Sequence, residues 1–359
     1  MRFTRRRLIT GLSAMAAAAG GLASVRAAHA RYYEGALSDH FDGLRFVDPH
    51  GMAPKGIPDL LRWWTARGRI TWSDWVPSPY ADEPPARIDG RALRMSFIGH
   101  ASLLVQTAGL NILIDPVWSD RVSPIDFVGP KRVNAPGIAF DALPKIDVVL
   151  ISHNHYDHLD MATLSRLVAT HRPRIITPLG NDTVMRAQDP AIAAEAYDWG
   201  DRVALGTGIE VTLAPMRHWS ARGVLDRNKA LWAAFIIATP AGRIYHVADS
   251  GYGDGFRFRE ASALYGPFRL AILPIGAYEP RWFMKYQHTD PREGWQAFLD
   301  LGARHMVPMH WGAFDLTDEP ADLAPRVLEQ VLEEEKADRG RARILAVGER
   351  WRVETPMVK

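Results

Sequence analysis

The sequence predicts an α/β fold in which two β-sheets pack together and helices cover their outer surfaces. Apolar runs rich in β-branched residues recur along the chain and predict strands, while amphipathic segments among them predict helices. With 47% hydrophobic and 23% charged residues, the 359-residue chain has a globular composition rather than that of a disordered or membrane-bundle protein. The predicted strands span residues 93–98, 102–106, 111–114, 146–151, 174–177, 209–214, 231–238, 243–248, 269–273 and 343–347.

The first thirty residues have the composition of an export signal. A basic start is followed by an Ala/Gly-rich apolar stretch and ends in Ala28-His29-Ala30, which predicts cleavage after Ala30. The segment Thr4-Arg5-Arg6-Arg7-Leu8-Ile9 resembles the twin-arginine consensus for export of folded proteins. We therefore expect a periplasmic or exported protein that begins near Arg31. The alternative is an uncleaved, membrane-anchoring signal, for which the apolar stretch is short.

Residues 31–91 are irregular and rich in aromatic residues, Pro and Arg. Such a segment is expected to wrap around the domain that follows, which we place at residues 92–359. Its tryptophans, among them Trp63, Trp72 and Trp75, have two interpretations. They pack onto the core, or they form an apolar wall or membrane-facing lip, because Trp suits boundaries between polar and apolar surroundings.

Three helices are predicted among the later strands. The first begins near Asp160. The second has Asp290 as N-cap, Pro291 at the first helical position and Glu293 two residues later, and Gly302 stands where its C-terminal cap belongs. The third is marked by an apolar face that consists of Leu323, Val327, Leu328, Val331 and Leu332.

Charge and cysteine content exclude several classes of site. The formal charge of +2 depends on five arginines in the first thirty residues, and the rest of the chain has 38 basic against 41 acidic residues. No basic stripe remains, so nucleic acid is not the expected partner. Because the chain has no Cys, a disulfide, a thiol nucleophile and a Cys-bound metal are all excluded. Any transition-metal site must use nitrogen and oxygen ligands.

The sequence Ser152-His153-Asn154-His155-Tyr156-Asp157-His158 follows a predicted buried strand and precedes a helix. Three histidines and one aspartate within six residues are a ligand set that suits zinc. Alternation at the strand end lets His153 and His155 point the same way, while Asp157 and His158 face a second ion. A polar loop that merely contains histidines is a weaker interpretation, because desolvating three imidazoles without a metal has no compensation.

Further candidate ligands stand next to predicted strand ends. These are His218, Asp249 and His310. Each alone is more typical of a structural residue than of a ligand. Together with the histidine-rich cluster they form a series, and the series predicts a metal site.

This series resembles the signature of the metallo-β-lactamase superfamily, H-x-H-x-D-H followed by a distant His, Asp and His. Other stretches resemble the N-acyl-phosphatidylethanolamine-hydrolysing phospholipase D family over residues 90 to 318. They include Ile98-Gly99-His100-Ala101-Ser102, Asp115-Pro116-Val117-Trp118-Ser119, Arg217-His218-Trp219-Ser220, Tyr278-Glu279-Pro280-Arg281-Trp282 and His310-Trp311-Gly312. The resemblance implies an αββα sandwich of two packed mixed sheets with helices outside.

The resemblance also implies two zinc ions per chain, with iron and manganese as alternative metals. Carried over residue by residue, His153, His155 and His218 hold one ion, Asp157, His158 and His310 hold the other, and Asp249 bridges them. Two ions about 3.5–4 Å apart would hold a shared hydroxide and the non-ester oxygens of a phosphodiester. The implied substrate is a phospholipid or another small phosphodiester or lactone, with peripheral contact to a membrane and no prediction of oligomeric state.

Supporting roles are implied for other residues of the resembling motifs. Besides Asp157, His288 is a candidate catalytic residue that polarises the substrate or acts as general acid. The alternative is that His288 caps the helix that begins near Asp290. His100 is expected to orient a metal ligand by hydrogen bonding, and Tyr278 and Arg281 are expected behind the ligands or against the substrate.

Two alternatives to a phospholipase remain. A lactonase of the same fold would direct the same hydroxide at a carbonyl carbon. A non-catalytic periplasmic zinc-binding protein would close its ligands around the metal, whereas seven ligands for two ions leave positions for water. Di-iron relatives of the fold have Glu where His155 stands, and class B β-lactamases have other residues at the position of His158, so both are disfavoured.

Overall fold

The computed structural model describes residues 31–51, 55–66, 70, 72–125 and 127–353. The predicted export signal, residues 1–30, lies outside the described residues. Within the described part of the chain, no helix combines the length and apolar character that crossing a membrane requires.

The strands form two mixed sheets. In chain order they are β1 (Leu93–Gly99), β2 (Ser102–Thr107), β3 (Leu110–Ile114), β4 (Val148–Leu150), β5 (Arg174–Pro178), β6 (Ala194–Tyr197), β7 (Arg202–Gly206), β8 (Ile209–Ala214), β9 (Ala234–Thr239), β10 (Gly242–His246), β11 (Phe268–Pro274), β12 (His305–Met309) and β13 (Arg350–Val353). The first sheet has the order β13-β1-β2-β3-β4-β5-β6, and the second has the order β12-β11-β10-β9-β8-β7.

The α-helices are α1 (Ile57–Ala66), α2 (Met161–His171), α3 (Asn181–Gln188), α4 (Phe256–Tyr265), α5 (Arg281–Met284), α6 (Pro291–Leu301) and α7 (Leu323–Glu334). The predicted caps of α6 are confirmed. Asp290 accepts a hydrogen bond from the backbone N–H of Glu293 at 2.8 Å, and the Glu293 carboxylate accepts one from the backbone N–H of Asp290 at 3.2 Å. Gly302 ends the helix with φ 61°, in the left-handed region that glycine favours.

The two sheets enclose the central core, and helices cover the outer faces. Along β2, Leu103 and Val105 point between the sheets, where they join Phe235 of β9. The intervening Leu104 points outward to a cluster that includes Leu167 of α2. This alternation is the period-two pattern of a strand that is buried on both faces.

The outer face of the second sheet is covered in the same way. Side chains of α4, α6 and α7, among them Phe258, Phe298 and Leu328, pack together there with Tyr245 of β10. The layer order is therefore helix, sheet, sheet, helix, and the predicted αββα fold is confirmed.

The prediction of a strand at residues 343–347 is wrong. This segment is extended, and Leu345 and Val347 are buried, but it crosses between the sheets instead of pairing within one. The backbone N–H of Arg343 donates to Met306 in β12, and that of Gly348 donates to Phe97 in β1. The apolar pattern thus indicated burial correctly, while the actual edge strand, β13, follows a turn at Gly348 (φ 80°).

The segment that precedes β1 packs against the second sheet and the loop that follows β12. Phe41 and Phe46 pack into the cluster on the outer face of the second sheet. The indole N–H of Trp63 in α1 donates to Asp318 at 3.1 Å, and that of Trp72 donates to the backbone O of Glu319 at 2.9 Å. Trp75 is instead 55% exposed. Trp63 and Trp72 therefore pack onto the domain, and a membrane-facing lip stays a prediction.

Candidate metal centre

The seven predicted ligands meet at one edge of the two sheets because each follows the carboxyl end of a strand. Residues 153–158 follow β4 in the first sheet, and His218, Asp249 and His310 follow β8, β10 and β12 in the second. These three strands run in the same direction, since β10 to β12 are parallel and β8 is related to β10 by two antiparallel pairings through β9. Their carboxyl ends therefore face residues 153–158 together.

Three imidazoles form the first half of the centre. His155 Nδ1 lies 2.9 Å from His153 Nε2 and 3.2 Å from His218 Nε2. The other nitrogen of His218, Nδ1, lies 3.1 Å from the backbone O of Gln287. Because a carbonyl oxygen only accepts, His218 Nδ1 carries the hydrogen and Nε2 presents its lone pair to the other imidazoles. Lone pairs that converge in this way need a cation.

The second half combines two imidazoles with a carboxylate. Asp157 Oδ2 lies 3.3 Å from His310 Nε2 and 3.6 Å from His158 Nε2. His158 Nδ1 lies 2.8 Å from Asp115 Oδ2, so that carboxylate orients the ring and turns Nε2 toward the centre.

Asp249 stands between the two halves. Its Oδ1 lies 3.1 Å from His310 Nε2, while its Oδ2 lies 3.2 Å from His158 Nε2 and 3.7 Å from His218 Nε2. Around a tetrahedral zinc with bonds of about 2.0–2.1 Å, neighbouring ligand atoms lie about 3.3 Å apart. The observed spacings, and the presence of only imidazole nitrogen and carboxylate oxygen among the donors, fit two such ions with Asp249 shared.

Burial and charge set the protonation of the ligands. Burial lowers the pKa of His155 and of His218 to about 3, so both are neutral, as metal ligands must be. Burial also acts to lower the pKa of His310, but the carboxylates of Asp249 and Asp157 outweigh it and raise the pKa to about 9. In the metal-free protein a proton on His310 therefore balances negative charge on Asp249 and Asp157. Bound cations would take the place of this proton.

His288 lies within metal-ligand distance of His218 and Asp249, although the sequence assigns it to neither half of the centre. Its Nδ1 is 3.9 Å from Asp249 Oδ2, and its ring centroid is 5.4 Å from those of His218 and His310. Burial lowers the pKa of His288 to about 3, which favours a neutral imidazole that polarises substrate over a general acid. The capping alternative is wrong, because Asp290 caps α6.

Tyr278 and Arg281 lie away from the ligand atoms. Tyr278 is buried in the apolar cluster on the outer face of the second sheet. Arg281 pairs with Glu293 at 2.6 Å and donates to the backbone O of His288 at 3.1 Å. These contacts hold the loop that carries His288, and contact of Arg281 with substrate stays a prediction.

A sequence profile described as the beta-lactamase superfamily domain matches residues 110–311, more than half of the chain. The chain belongs to the metallo-β-lactamase superfamily of hydrolases. Its fold and the strand-end positions of its candidate ligands agree with this membership.

Relatives within the superfamily include an uncharacterized protein of Mycobacterium tuberculosis, 39% identical over 68% of this chain and 65% of the relative. The N-acyl-phosphatidylethanolamine-hydrolyzing phospholipase D 1 of Caenorhabditis elegans is 36% identical over 64% of this chain and 67% of the relative. A metal-dependent hydrolase of Pyrobaculum neutrophilum is 31% identical over 66% of this chain and 92% of the relative. The chain thus spans less than two thirds of the length of the mycobacterial relative.

Solved structures share the fold at lower identity. Igni18, a metallo hydrolase from Ignicoccus hospitalis, has a TM-score of 0.55 at 20% identity and covers 73% of this chain and 99% of its own. The isothiocyanate hydrolase from Delia radicum gut bacteria has a TM-score of 0.58 at 17% identity and covers 72% and 98%. At these identities the likeness concerns the superfamily fold alone.

Two residues, His100 and Asp115, orient candidate metal ligands by hydrogen bonds. His100 Nε2 lies 2.9 Å from Asp157 Oδ2, in the orienting position that the sequence predicts. Asp115 is fully buried and accepts hydrogen bonds from the backbone N–H and the hydroxyl of Ser152 at 2.8 and 2.6 Å, as well as contacting His158. Sequence reasoning assigned Asp115 no role. The available signal was its place at the carboxyl end of β3, next to the strand that leads to the cluster.

The backbone around the centre is held in an uncommon conformation. Asp115, Ala248 and His310 have φ of 41°, 56° and 65°, in the left-handed region that residues with a Cβ rarely adopt. Such strain persists where surrounding contacts determine the backbone, and it clusters at functional sites.

The ligands form the floor of a cavity of about 530 Å³, which we call the central cavity. His155, Asp157, Asp249, His288 and His310 line its floor. Its walls are largely apolar and include Leu60, Trp63, Val224, Phe283, Met284 and Leu316. A substrate of this centre must therefore place a polar group among the ligands and apolar groups against the walls.

Proposed function

We propose that the protein is a dinuclear zinc phosphodiesterase that hydrolyses N-acyl-phosphatidylethanolamine-type lipids in the manner of a phospholipase D. The observation that carries this proposal is the pair of ligand sets that share Asp249 on the floor of an apolar cavity. The donors support zinc, since it binds imidazole nitrogen and carboxylate oxygen at tetrahedral spacing.

When bound, two zinc ions would lower the pKa of water and neutralise negative charge on a phosphodiester. The chain supplies their placement. Asp249 fixes both halves at once, and Asp115 and His100 hold His158 and Asp157 in orientation from the protein side. His288, neutral and facing the cavity, is placed to polarise an oxygen of the substrate next to the ligands.

The walls of the central cavity support a lipid substrate. Leu60 and Trp63 of α1 face Phe283 and Met284 across the apolar side, and Trp63 stacks on Phe283 with ring centroids 5.1 Å apart. At the rim, Val224 is 83% exposed. An amphiphile that inserts its acyl chains here keeps them out of water while its phosphodiester reaches the floor. The relative from Caenorhabditis elegans is named for hydrolysis of a lipid of this kind.

The test is turnover of N-acyl-phosphatidylethanolamine by the zinc-loaded full chain, followed by mass spectrometry in ¹⁸O-labelled water. Hydrolysis breaks the bond between phosphorus and the headgroup oxygen, so the label is expected in phosphatidic acid and not in N-acylethanolamine. Label in a released fatty acid instead would place the attack at a carbonyl carbon. Turnover of lactones without turnover of phosphodiesters would replace the phospholipase by the lactonase alternative.

We further propose that the enzyme works outside the cytoplasm after twin-arginine export. The support is the sequence of residues 1–30 alone. Peptide mapping of the exported protein is expected to find an N-terminus near Arg31, and intact residues 1–30 on that protein would contradict cleavage.

A further inference from the structure

A second cavity of about 280 Å³ lies beside the central cavity, and we call it the side cavity. The two cavities share four lining residues, which are Lys55, Trp219, Arg227 and Gln287. They therefore meet at these residues. Whereas the central cavity is apolar, the charged lining of the side cavity consists of Lys55, Arg217, Arg227 and Asp48.

Among the described residues that line the side cavity, Asp48 is the only carboxylate, and its charge is neutralised. Asp48 pairs with Arg257, a buried arginine that also binds Glu260 at 2.7 Å. Arg217 pairs with Asp254 at 2.8 Å. Lys55 and Arg227 form no ion pair with any described residue. Two cations are thus left without a counter-charge where the cavities join.

Aromatic rings hold both cations in place. The Lys55 ammonium lies 4.9 Å from the ring centroid of Tyr286, and the Arg227 guanidinium lies 4.1 Å from that of Trp219. Arg227 Nη1 is also 3.5 Å from the backbone O of Lys55, so the two residues are neighbours. Cation–π contacts fix the position of a cation but leave N–H donors free for an anion.

Three residues of the side-cavity lining also carry buried N–H groups without hydrogen-bond partners in the described part of the chain. Nε of Arg217, Nε of Arg227 and Nε1 of Trp219 are buried and have no hydrogen-bond partner among the described residues. All three are N–H groups that donate and do not accept. A lining with two cations that form no ion pair with any described residue is complementary to a ligand that carries oxygen acceptors and negative charge.

We propose that Lys55 and Arg227 form a subsite for a second anionic group of the substrate, a carboxylate or a phosphate in the headgroup. The proposal rests on the phosphodiesterase function proposed above. It assigns the two cavities different parts of one molecule: acyl chains lie in the central cavity, and the charged end of the headgroup enters the side cavity.

The path from the metal centre to this subsite is short. The Trp219 ring contacts the ligand His155 with centroids 4.3 Å apart, and the Arg227 guanidinium lies over the same indole. One ring thus separates the cation from the ligand. In an N-acylated phosphatidylserine the carboxylate is four bonds from phosphorus, so a phosphorus at the ligands leaves the carboxylate within reach of the shared residues.

The experiment compares kcat/KM of the zinc-loaded full chain for three lipids, of which the two N-acylated ones have identical acyl chains. N-acyl-phosphatidylserine differs from N-acyl-phosphatidylethanolamine by one carboxylate, and diphosphatidylglycerol supplies a second phosphate as a separate arm. We expect kcat/KM to be about tenfold higher for at least one of the two lipids that carry a second anionic group. The preferred lipid shows whether the subsite binds a carboxylate or a phosphate. Equal kcat/KM for all three lipids would overturn the subsite.

Variants assign the preference to these side chains. Lys55→Gln with Arg227→Gln is expected to bring the ratio of kcat/KM for the preferred lipid to kcat/KM for N-acyl-phosphatidylethanolamine close to one. Lys285→Gln is the matched control, because Lys285 also lies near Tyr286 but lines neither cavity. A preference that survives the double substitution would exclude Lys55 and Arg227.

A binding measurement separates failure of the subsite from failure of the proposed function. Calorimetric titration with glycerophosphoserine and with glycerophosphoethanolamine needs no turnover. Tighter binding of glycerophosphoserine, lost in the double variant, would support the subsite even if no lipid is hydrolysed. Equal binding of both headgroups, together with normal lipid hydrolysis, would contradict the subsite and leave the phosphodiesterase intact.

Discussion

The floor and the outer wall of the central cavity differ in how the chain builds them. The candidate ligands at and below the floor follow core strands of both sheets, and His153, His158 and Asp249 among them are fully buried. The wall at α1 comes from the segment before β1, where Leu60 and Leu61 are 49% and 54% exposed. From this difference we propose that the core fixes the chemistry and that the preceding segment selects the substrate. Substitutions in the two regions should therefore act on different kinetic parameters.

The largest effect is expected from the residue that joins both halves of the floor. Asp249→Asn keeps the shape of the side chain but removes the charge that both halves share, so we expect loss of metal and a fall in kcat of about 10³-fold or more. Metal content and turnover of bis(p-nitrophenyl) phosphate are measured together. Asp182→Asn, which removes a surface partner of Arg186, is the matched control. Full metal content and activity in Asp249→Asn would refute the shared-ligand geometry.

A smaller effect is expected from His288, which lines the central cavity beside the candidate ligands. His288→Ala should retain both ions and lower kcat by about 10²-fold, because it removes polarisation of the substrate and not a ligand. His171→Ala, a substitution of a buried histidine in α2, controls for the loss of an imidazole. If His288→Ala turned over at the wild-type rate, the residue would have no part in the reaction.

The wall is tested by a substitution that should leave the chemistry unchanged. Trp63→Ala removes the indole that stacks on Phe283, and we expect KM for a long-chain lipid to rise by about tenfold through lost apolar contact. Turnover of bis(p-nitrophenyl) phosphate, which has no acyl chain, should be unaffected. Trp75→Ala in the same segment is the control, because that ring does not line the cavity. Equal losses on both substrates would mean that the wall shapes the floor.

The smallest effect concerns how the segment before β1 is held on the core. His40 lies 2.7 Å from Asp198 and 2.6 Å from Asp39, and its ring stacks on Trp199 at 4.7 Å. Burial acts to lower the pKa of His40, but these two carboxylates outweigh it and raise the pKa above 6.5.

A raised pKa makes this stabilisation complete below the unfolded value, about 6.5, and diminishes it as the pH rises through the folded value. The free energy of unfolding of the wild type relative to His40→Gln should therefore decline by less than about 1 kcal/mol above pH 6.5. Denaturant titrations of both zinc-loaded proteins across this range measure it. A difference that grows with pH would have the wrong sign.

The sequence predicted the floor of the cavity more completely than its surroundings. Ligands at strand ends leave a local signal, because three histidines and an aspartate within residues 153–158 have no structural purpose that matches their desolvation. Asp115 left no such signal, since its role depends on a contact with His158 that only the parallel pairing of β3 and β4 creates. The same holds for Lys55 and Arg227, which are distant in sequence and meet over aromatic rings of other segments.

The fold was predicted where strands are buried and missed where they lie at edges. The αββα layers follow from apolar runs such as β4 and β11, whose residues are all buried. The edge strand β7 has exposed positions that dilute its pattern, and β13 was displaced to residues 343–347 because burial there mimics a strand. A hydrophobic pattern indicates which residues are buried, whereas the pairing of strands depends on tertiary contacts.

The number of zinc ions that the metal-free full chain takes up tests the dinuclear centre most directly. After titration with zinc and removal of unbound metal, elemental analysis is expected to find two ions per chain, one for each ligand set that Asp249 joins. An uptake of one ion or none by the folded protein would contradict the dinuclear centre on which the proposed hydrolysis depends.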